Sequence, residues 1–303
     1  MNNLNSRFYF LAKNFPQSTA SNGNFWRKET LSNNKLFQKT RPPHREREGK
    51  KKVKIMYSQH LNNLIISADD FGISEEANRA ILELAREKKI DRVAVMMGGK
   101  ISKNESNDLL ESGVKIDIHL HLLGHNFFDK REKESESGTT KRIAIFLLDF
   151  LTGWYGSAKV KIIWKKQIEE FKTIFGRYPD GINSHEHIHF FPPLFKTALK
   201  IKEEFKISYI RLGKLKNFKK FGKVAFILDK LRLMNFRRNL LFLTPLGIAR
   251  SYPFELNTSD FLVSFDWIKN EEEFFEKLIE KTQTEIVFHP ERKNEYDFLM
   301  KNF

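Results

Sequence analysis

The segment GINSHEHIHFF, residues 181–191, decides between two folds, because it matches the H-E-x-x-H pattern of zinc proteases. That pattern requires a helix, since only a helix places both histidines and the glutamate over one metal ion. The flanking residues oppose a helix. Pro179-Asp180-Gly181 is typical of a turn, Pro192 disfavours helical backbone at the residue before it, and isoleucine and phenylalanine favour strands. The sequence therefore predicts a strand in this segment.

A strand would place the three histidines of this segment on one face. Side chains alternate along a strand, so His185, His187 and His189 would point one way and Glu186 the other. The glutamate could then not serve as the general base of a protease. Seven of the nine histidines lie at or next to predicted strand ends, which favours a functional role for them over none.

Strand and helix patterns alternate along most of the chain. The other predicted strands are LIISA (64–68), RVAVMM (92–97), VKIDIHLHL (114–122), ISYIRL (207–212), DFLVSF (260–265) and TEIVFH (284–289). Predicted helices begin at Ser74, span 158–175 before Gly176, and span 192–205 from the Pro-Pro pair onwards. This alternation implies a parallel sheet covered by helices.

Polar residues gather where four of the predicted strands end. They are Asp69 and Asp70, His119 and His121, His185 to His189, and His289. Functional groups lie at the carboxyl ends of parallel strands, whether the sheet is open or closed into a barrel. The four strand ends therefore predict one site.

The doubled aspartate lies within SADDFGIS, residues 67–74, which contains the D-F-G motif that binds magnesium in protein kinases. No H-R-D loop and no glycine-rich nucleotide loop accompany it, so the kinase interpretation fails. An isolated pair of aspartates is more typical of a turn with a helix cap. Beside clustered histidines, however, one carboxylate can ligate a metal while its neighbour acts as a base.

Composition excludes several functional classes. The absence of cysteine excludes disulfides, thiolate metal sites and cysteine nucleophiles. A net charge of +15 suggests nucleic acid, but residues 1–55 alone carry 13 basic and three acidic residues. Residues 214–250 carry ten basic residues and one acidic residue. The remainder of the chain is not basic, so no nucleic-acid partner is expected.

The two basic segments have different patterns. Residues 1–55 show no sustained period, which predicts a disordered extension without a role in the chemistry; an organelle transit peptide is the alternative. Residues 214–250 carry a helical apolar stripe, interpreted as a basic helical insertion packed on the core. The alternative is a lid, or a surface that contacts anionic glycan, lipid or a membrane peripherally. No apolar run is long enough for a transmembrane span and no secretory segment is visible, so a cytoplasmic location is expected.

Five motifs in order carry a resemblance to a known family. They are ADDFG (68–72), IHL (118–120), NSHEHIHFFP (183–192), YIRL (209–212) and EIVFHP (285–290). Each is weak alone, but together they resemble the YdjC-like (ChbG/HpnK) carbohydrate deacetylase family over about residues 61–300. The resemblance implies a single-domain, distorted (β/α) TIM-like barrel over residues 56–303. It also implies hydrolysis of N-acetyl groups on amino sugars such as chitooligosaccharides, with a divalent cation.

The resemblance further implies roles for individual residues. The metal ligands would be Asp70, His119 and His185, the general base Asp69 and the general acid His289. The remaining candidates would line the site or support its ligands: His187, His189, His121, and Arg211, which could hold a substrate oxygen.

The sequence departs from the family at two positions. It has Asn183 where the family commonly has aspartate, and His121 where the family commonly has a hydroxyl residue. The lost carboxylate changes the local charge, which predicts an altered metal preference or a substrate different from chitooligosaccharides. The family is associated with magnesium, whereas two histidines and one aspartate also suit zinc, manganese, cobalt or iron. The expected cofactor is therefore stated as a divalent cation.

Two other functions stay open at the level of sequence. One is a different metallohydrolase, such as a peptidase or phosphoesterase, and the other is a binding protein that uses its charge. Metal content separates the binding protein from the enzymes, and acetate release separates the two enzymes. The expected partner is an N-acetylated saccharide, and a homodimer is compatible with the sequence.

Overall fold

The computed structural model describes residues 63–122, 156–215, 227–231, 256–268, 270–276 and 282–303. Within these ranges, eight strands form one sheet in which every neighbouring pair is parallel. The strands are β1 (Leu64–Phe71), β2 (Arg92–Val95), β3 (Lys115–Leu120), β4 (Gly181–Ser184), β5 (Tyr209–Ile210), β6 (Lys214–Leu215), β7 (Phe261–Ser264) and β8 (Thr284–Phe288).

The strand order is β5-β4-β3-β2-β1-β8-β7-β6. This is the order of a (β/α) barrel, in which the first strand pairs with the last, and Leu64 of β1 lies opposite Thr284 of β8. In the described part of the chain, no strand hydrogen bonds join β5 to β6. The predicted α/β fold, a distorted TIM-like barrel, is confirmed. Because all the strands are parallel, their carboxyl ends lie at one edge of the sheet.

Within the described ranges, α-helices connect the strands or follow them. They are α1 (Glu75–Arg86), α2 (Lys103–Ser112), α3 (Ser157–Phe175), α4 (Pro192–Glu204), α5 (Glu271–Glu276) and α6 (Lys293–Asn302). The Ser74 hydroxyl caps α1 by accepting a hydrogen bond from the Ala77 N–H at 3.1 Å. Gly176 ends α3 in the left-handed conformation that glycine adopts most readily. The start predicted for α1 at Ser74 and the end predicted for α3 at Gly176 are therefore confirmed.

The core lies between the sheet and the helices. On α3, Trp164, Ile168 and Phe171 are fully buried and share one face. They pack in the same apolar cluster as Ile118 of β3 and Ile182 of β4, which are neighbours in the sheet register. Burying each of these side chains stabilises the fold by about 1.5 to 3 kcal/mol. The strand ends are therefore held by a well-packed scaffold.

The structure corrects the prediction for the histidine segment. β4 ends at Ser184, and His185–Phe190 form 3₁₀ turns interrupted by a kink, so the segment is neither a strand nor the α-helix of a zinc protease. Glu186 and His187 have φ angles of 54° and 53°, in the left-handed region that residues other than glycine rarely adopt. The chain turns sharply after β4, and the strand alternation predicted for the three histidines does not apply.

Of the two basic segments, only residues 214–250 are described in part. Lys214 and Leu215 form β6, so the sheet extends two residues into the segment interpreted as a helical insertion. Residues 227–231 are helical, with Leu228 buried in the core and Ile227 52% exposed. The predictions for the rest of 214–250 and for residues 1–55 lie outside the described residues. Among the described helices, none has the length and apolar character needed to cross a membrane.

β1 ends in a bulge that shapes the site. Its register with β2 shifts over its last residues, and Asp70 and Gly72 have φ angles of 72° and 95°. The Gly72 N–H donates to Asn78 Oδ1 at 2.6 Å, which holds the turn that follows. In a regular strand, successive side chains point to opposite faces. The bulge therefore allows Asp69 and Asp70, although adjacent, to face the same site.

Gly72→Ala should lower the free energy of unfolding by about 3 to 5 kcal/mol. An added Cβ would lie 2.6 Å from the backbone oxygen of Met96, and the positive φ would add strain. Gly113→Ala is a matched control, because Gly113 also has a positive φ, 76°, but an added Cβ there has nothing within 4 Å. The control should lose only about 1 to 2 kcal/mol. Urea denaturation measures both, and equal losses would contradict the predicted clash.

Candidate metal centre and catalytic groups

Three side chains from β1, β3 and the turn after β4 converge on one point. Asp70 Oδ1 lies 3.4 Å from His119 Nε2 and 3.2 Å from His185 Nδ1. One ligand atom from each residue lies within 4.8 Å of the other two. Asp70 and His119 are buried, whereas His185 is partly exposed, so the cluster is accessible from one side. The structure thus brings together the three residues that the sequence predicts as metal ligands.

The donor set of this cluster fits a divalent cation. Burial raises the pKa of the Asp70 carboxyl, but His185 and His119 lower it more strongly, so this pKa lies well below its usual range. The site therefore offers one ionised carboxylate and two imidazole nitrogens. Such a set suits zinc, manganese, cobalt or iron better than magnesium, which prefers more oxygen ligands. Three protein ligands leave coordination positions for water and a substrate oxygen.

Asp69, beside the cluster, is held by a bidentate ion pair. Its carboxylate oxygens accept hydrogen bonds from Arg211 Nη1 at 2.7 Å and Nη2 at 2.9 Å. Burial raises the pKa of Asp69, but the charges of Arg211, His119 and His289 lower it by more than burial raises it, to about 2. The carboxylate is therefore ionised at any pH near neutrality, and its Oδ2 lies 3.8 Å from His119 Nδ1.

Arg211 also pairs with a second carboxylate, that of Glu285 on β8, through Nε at 2.7 Å. Glu285 accepts two further hydrogen bonds, from the Ser67 hydroxyl at 2.7 Å and the Tyr209 hydroxyl at 2.6 Å. Arg211 is 0% exposed. The sequence-based expectation was that Arg211 could hold a substrate oxygen, whereas in this structure its guanidinium binds the two carboxylates. Arg211 instead fixes the position of Asp69.

Glu285 is absent from the sequence-based list of site residues, although a signal for it exists. It is a charged residue in TEIVF, the β8 strand, whose five residues are all buried. A charged side chain is almost never fully buried without a partner. A buried cation opposite β8 was therefore predictable, but its identity as Arg211 was not.

His289 follows β8 and faces Glu295 on α6. Its backbone N–H donates to Glu295 Oε2 at 2.7 Å, and its Nδ1 lies 3.8 Å from the same oxygen. Burial lowers the pKa of His289, but the carboxylates of Glu295, Asp70 and Glu291 raise it to about 9. The imidazole therefore carries a proton at neutral pH, as a general acid must.

Two other predicted histidines support the backbone around the site. His189 Nε2 donates to the backbone oxygen of Arg211 at 2.7 Å, and its Nδ1 accepts from the Ser184 hydroxyl at 2.5 Å. Burial lowers the pKa of His189 to about 4, so its ring is neutral. His121 Nε2 donates to the backbone oxygen of Met97 at 2.7 Å. Both side chains are buried.

His187 differs from these two histidines. Its ring lies 5.9 Å from the Trp267 ring and 5.7 Å from the Phe190 ring, measured between centroids. Burial lowers the pKa of His187 well below its usual value. Within the described residues, its Nδ1 is buried without a hydrogen-bond partner. His187 is thus a neutral imidazole with one uncommitted nitrogen.

The sequence profile of the family described as "YdjC-like protein" matches residues 63–302. This range includes all eight strands and every site residue described above. The chain belongs to the YdjC-like protein family. The family predicted from the five motifs is confirmed.

Curated relatives of this YdjC-like chain are named as deacetylases. A chitooligosaccharide deacetylase of Escherichia fergusonii is 26% identical over 143 residues, 46% of this chain and 56% of that protein. A carbohydrate deacetylase of Oceanobacillus iheyensis is 28% identical over 159 residues, 50% of this chain and 66% of that protein. The chain spans about half to two thirds of the length of these relatives. A crystal structure from Enterococcus faecalis covers 75% of this chain and 80% of its own, at 16% identity and a TM-score of 0.48.

Asn183 on β4 of this YdjC-like chain touches a predicted ligand. The parallel register places it beside His119, and one terminal atom of its side-chain amide lies 2.6 Å from His119 Nδ1. The ring nitrogen that does not bind a metal usually donates to a carboxylate, carbonyl or water, which fixes the ring. The neutral amide of Asn183 occupies that position here.

Proposed function

We propose that this YdjC-like protein is a metal-dependent carbohydrate deacetylase, which hydrolyses the N-acetyl group of an amino sugar or oligosaccharide. One observation carries the proposal: the cluster of Asp70, His119 and His185 is flanked by an ionised carboxylate, Asp69, and a protonated imidazole, His289. These are the groups that amide hydrolysis needs. The names of the curated relatives support the choice of a saccharide as the substrate class.

Amide hydrolysis needs a nucleophile made from water and a proton for the departing nitrogen. A divalent cation held by Asp70, His119 and His185 would acidify a water molecule and polarise the acetyl carbonyl. Asp69 accepts the proton from the attacking water. With a pKa of about 2 it is a weak base, so it would need a water molecule that a cation held by the cluster would acidify.

Proton donation to the nitrogen falls to His289. An unprotonated amide nitrogen is a poor leaving group, and His289 carries a proton at neutral pH because its pKa is raised to about 9. It follows β8, whereas Asp69 lies on β1, so the acid and the base come from neighbouring strands. Arg211 and Glu285 act as positioning residues, since they hold the Asp69 carboxylate in one orientation.

Acetate release tests the proposed function. The protein, supplied in turn with zinc, manganese, cobalt and magnesium, is incubated with N-acetylglucosamine oligomers of several lengths and with other N-acetylated sugars. We expect acetate and a free amine in equal amounts, with no cleavage of a peptide or a phosphate ester. Peptide or phosphate-ester cleavage without acetate release from any sugar would establish the alternative metallohydrolase instead.

His289→Gln should remove the alkaline limb of the activity profile. In the wild type, activity should fall as the pH rises through about 9, because His289 then loses its proton. A cation bound to Asp70 would offset the Asp70 charge and move this fall to a somewhat lower pH. A His289 pKa raised in the folded state also stabilises the fold fully below about 6.5, and this contribution is lost as the pH rises through about 9. Initial rates and urea denaturation across pH 6 to 10 measure both effects. An unchanged alkaline limb in His289→Gln would assign the acid to another group.

A further inference from the structure

We propose that the Asn183 amide opposes cation binding, by holding the His119 ring in the tautomer that cannot ligate a metal. The proposal rests on the metal centre proposed above and concerns this chain's own residues around it. Asn183 would thus set the affinity for the cation without being a ligand itself.

A ligating His119 needs its proton on one particular nitrogen. Nε2 is the atom that faces Asp70, at 3.4 Å, so Nε2 must offer its lone pair to a cation. The proton then sits on Nδ1, where it must donate to Asn183 Oδ1 at 2.6 Å. One orientation of the Asn183 amide therefore permits cation binding.

That orientation mismatches the other neighbours of the amide. It points Oδ1 toward the backbone oxygen of Ile118, acceptor against acceptor, and Nδ2 toward Arg211 Nη2, donor against donor. Turning the amide by half a rotation resolves both conflicts. Nδ2 then donates to His119 Nδ1 at 2.6 Å and to Ile118 O at 3.2 Å, while Oδ1 accepts from Arg211 Nη2 at 3.2 Å.

The turned amide satisfies every neighbour but blocks the metal ligand. His119 Nδ1 accepts a hydrogen bond in this arrangement, so the ring proton lies on Nε2 and points at Asp70. Arg211 cannot relieve the conflict by moving, because it is fully buried and tied to Asp69 and Glu285. Cation binding must therefore turn the amide against Arg211, which weakens the affinity.

A carboxylate at position 183 would remove the conflict with Arg211, although one of its oxygens would still face the backbone oxygen of Ile118. Both of its oxygens accept, so it can take the proton of His119 Nδ1 and a hydrogen bond from Arg211 Nη2 at once. Groups that hold a metal-bound histidine typically change metal affinity by about 10- to 100-fold. Asn183→Asp should therefore bind a divalent cation about 10- to 100-fold more tightly than the wild type.

Calorimetric titration with zinc tests the proposal on the wild type, Asn183→Asp and Asn183→Ala. Alanine removes the opposing amide, so Asn183→Ala should bind zinc at least as tightly as the wild type. Thermal unfolding in the presence and absence of zinc provides a second readout, in which the zinc-induced rise in Tm should be largest for Asn183→Asp.

Nitrogen NMR of histidine-labelled protein reports the tautomer directly, with the His119 signals assigned from a His119→Gln spectrum. Metal-free wild type should show the proton on Nε2, and Asn183→Asp should show it on Nδ1. The proposal is overturned if the wild-type proton lies on Nδ1, if Asn183→Asp binds no more tightly, or if Asn183→Ala binds more weakly. If neither the wild type nor Asn183→Asp binds zinc or manganese, the proposed metal centre itself is wrong. If both bind zinc but Asn183→Asp binds it more weakly than the wild type, only the role of Asn183 is overturned.

Discussion

Asp70→Asn should abolish stoichiometric cation binding and lower kcat by about three powers of ten or more. Asp70 is the one charged ligand of the cluster, and its Oδ1 lies within 3.4 Å of both imidazoles. A metal that polarises a carbonyl contributes several kcal/mol, and each 1.4 kcal/mol corresponds to a factor of about ten in rate. Metal analysis after dialysis, together with the acetate assay, measures both losses.

Two controls make this result specific. Asp108→Asn removes an aspartate on α2 that pairs with Arg86 at the surface, and it should keep full metal content and activity. His187→Gln should keep its metal, whereas His185→Gln should lose it. If His187 proves necessary for metal binding and His185 does not, the assignment of the ligands is wrong.

Asp69→Asn should keep its metal but lose about two to four powers of ten in kcat, the usual scale for a general base. The amide cannot accept a proton from the attacking water. The substitution also leaves the buried Arg211 with one ionised partner where it had two, so the free energy of unfolding should fall by roughly 3 kcal/mol. Single-turnover rates and urea denaturation separate the two effects.

Glu285→Gln is the matched variant for this experiment, because it neutralises the other partner of Arg211 and leaves the Asp69 carboxylate in place. We expect a comparable loss of stability but less than about a tenfold loss of kcat, since the base itself is still present. Near-normal turnover in Asp69→Asn at full metal occupancy would eliminate this base. His187, whose Nδ1 has no hydrogen-bond partner within the described residues, would then be the next candidate.

The elements that could be predicted from the sequence are those with local signals. α3 ends at Gly176 and α4 begins at Pro192, where the sequence predicts these limits, because capping and proline geometry act within one turn. Seven of the eight described strands were predicted from short apolar runs between turns, whereas β6 lies in the segment interpreted as a helical insertion. The position of the site at the strand ends followed from topology, because parallel strands bring residues distant in sequence to one edge. The three ligands were assigned from the resemblance to the family.

The features that were missed depend on tertiary contacts. The prediction of a strand at residues 185–189 followed the local composition, yet two left-handed residues, Glu186 and His187, turn the chain instead. Such a conformation is held by its surroundings and has no signal in the residue types. The partners of Arg211 could not be predicted either, since they lie on β1 and β8, at opposite ends of the described barrel sequence.

The pairing of β1 with β8 has a consequence for the order of events during synthesis. Ser67 and Glu285, which are hydrogen-bonded across this pair, lie 218 residues apart. At about 5 to 20 residues per second, β1 leaves the ribosome roughly 10 to 45 s before its partner strand exists. During that interval one side of an apolar strand is unpaired and prone to association. The ion pair between Arg211 and Glu285 can form only when β8 arrives, so the network that holds the Asp69 carboxylate is completed late in synthesis.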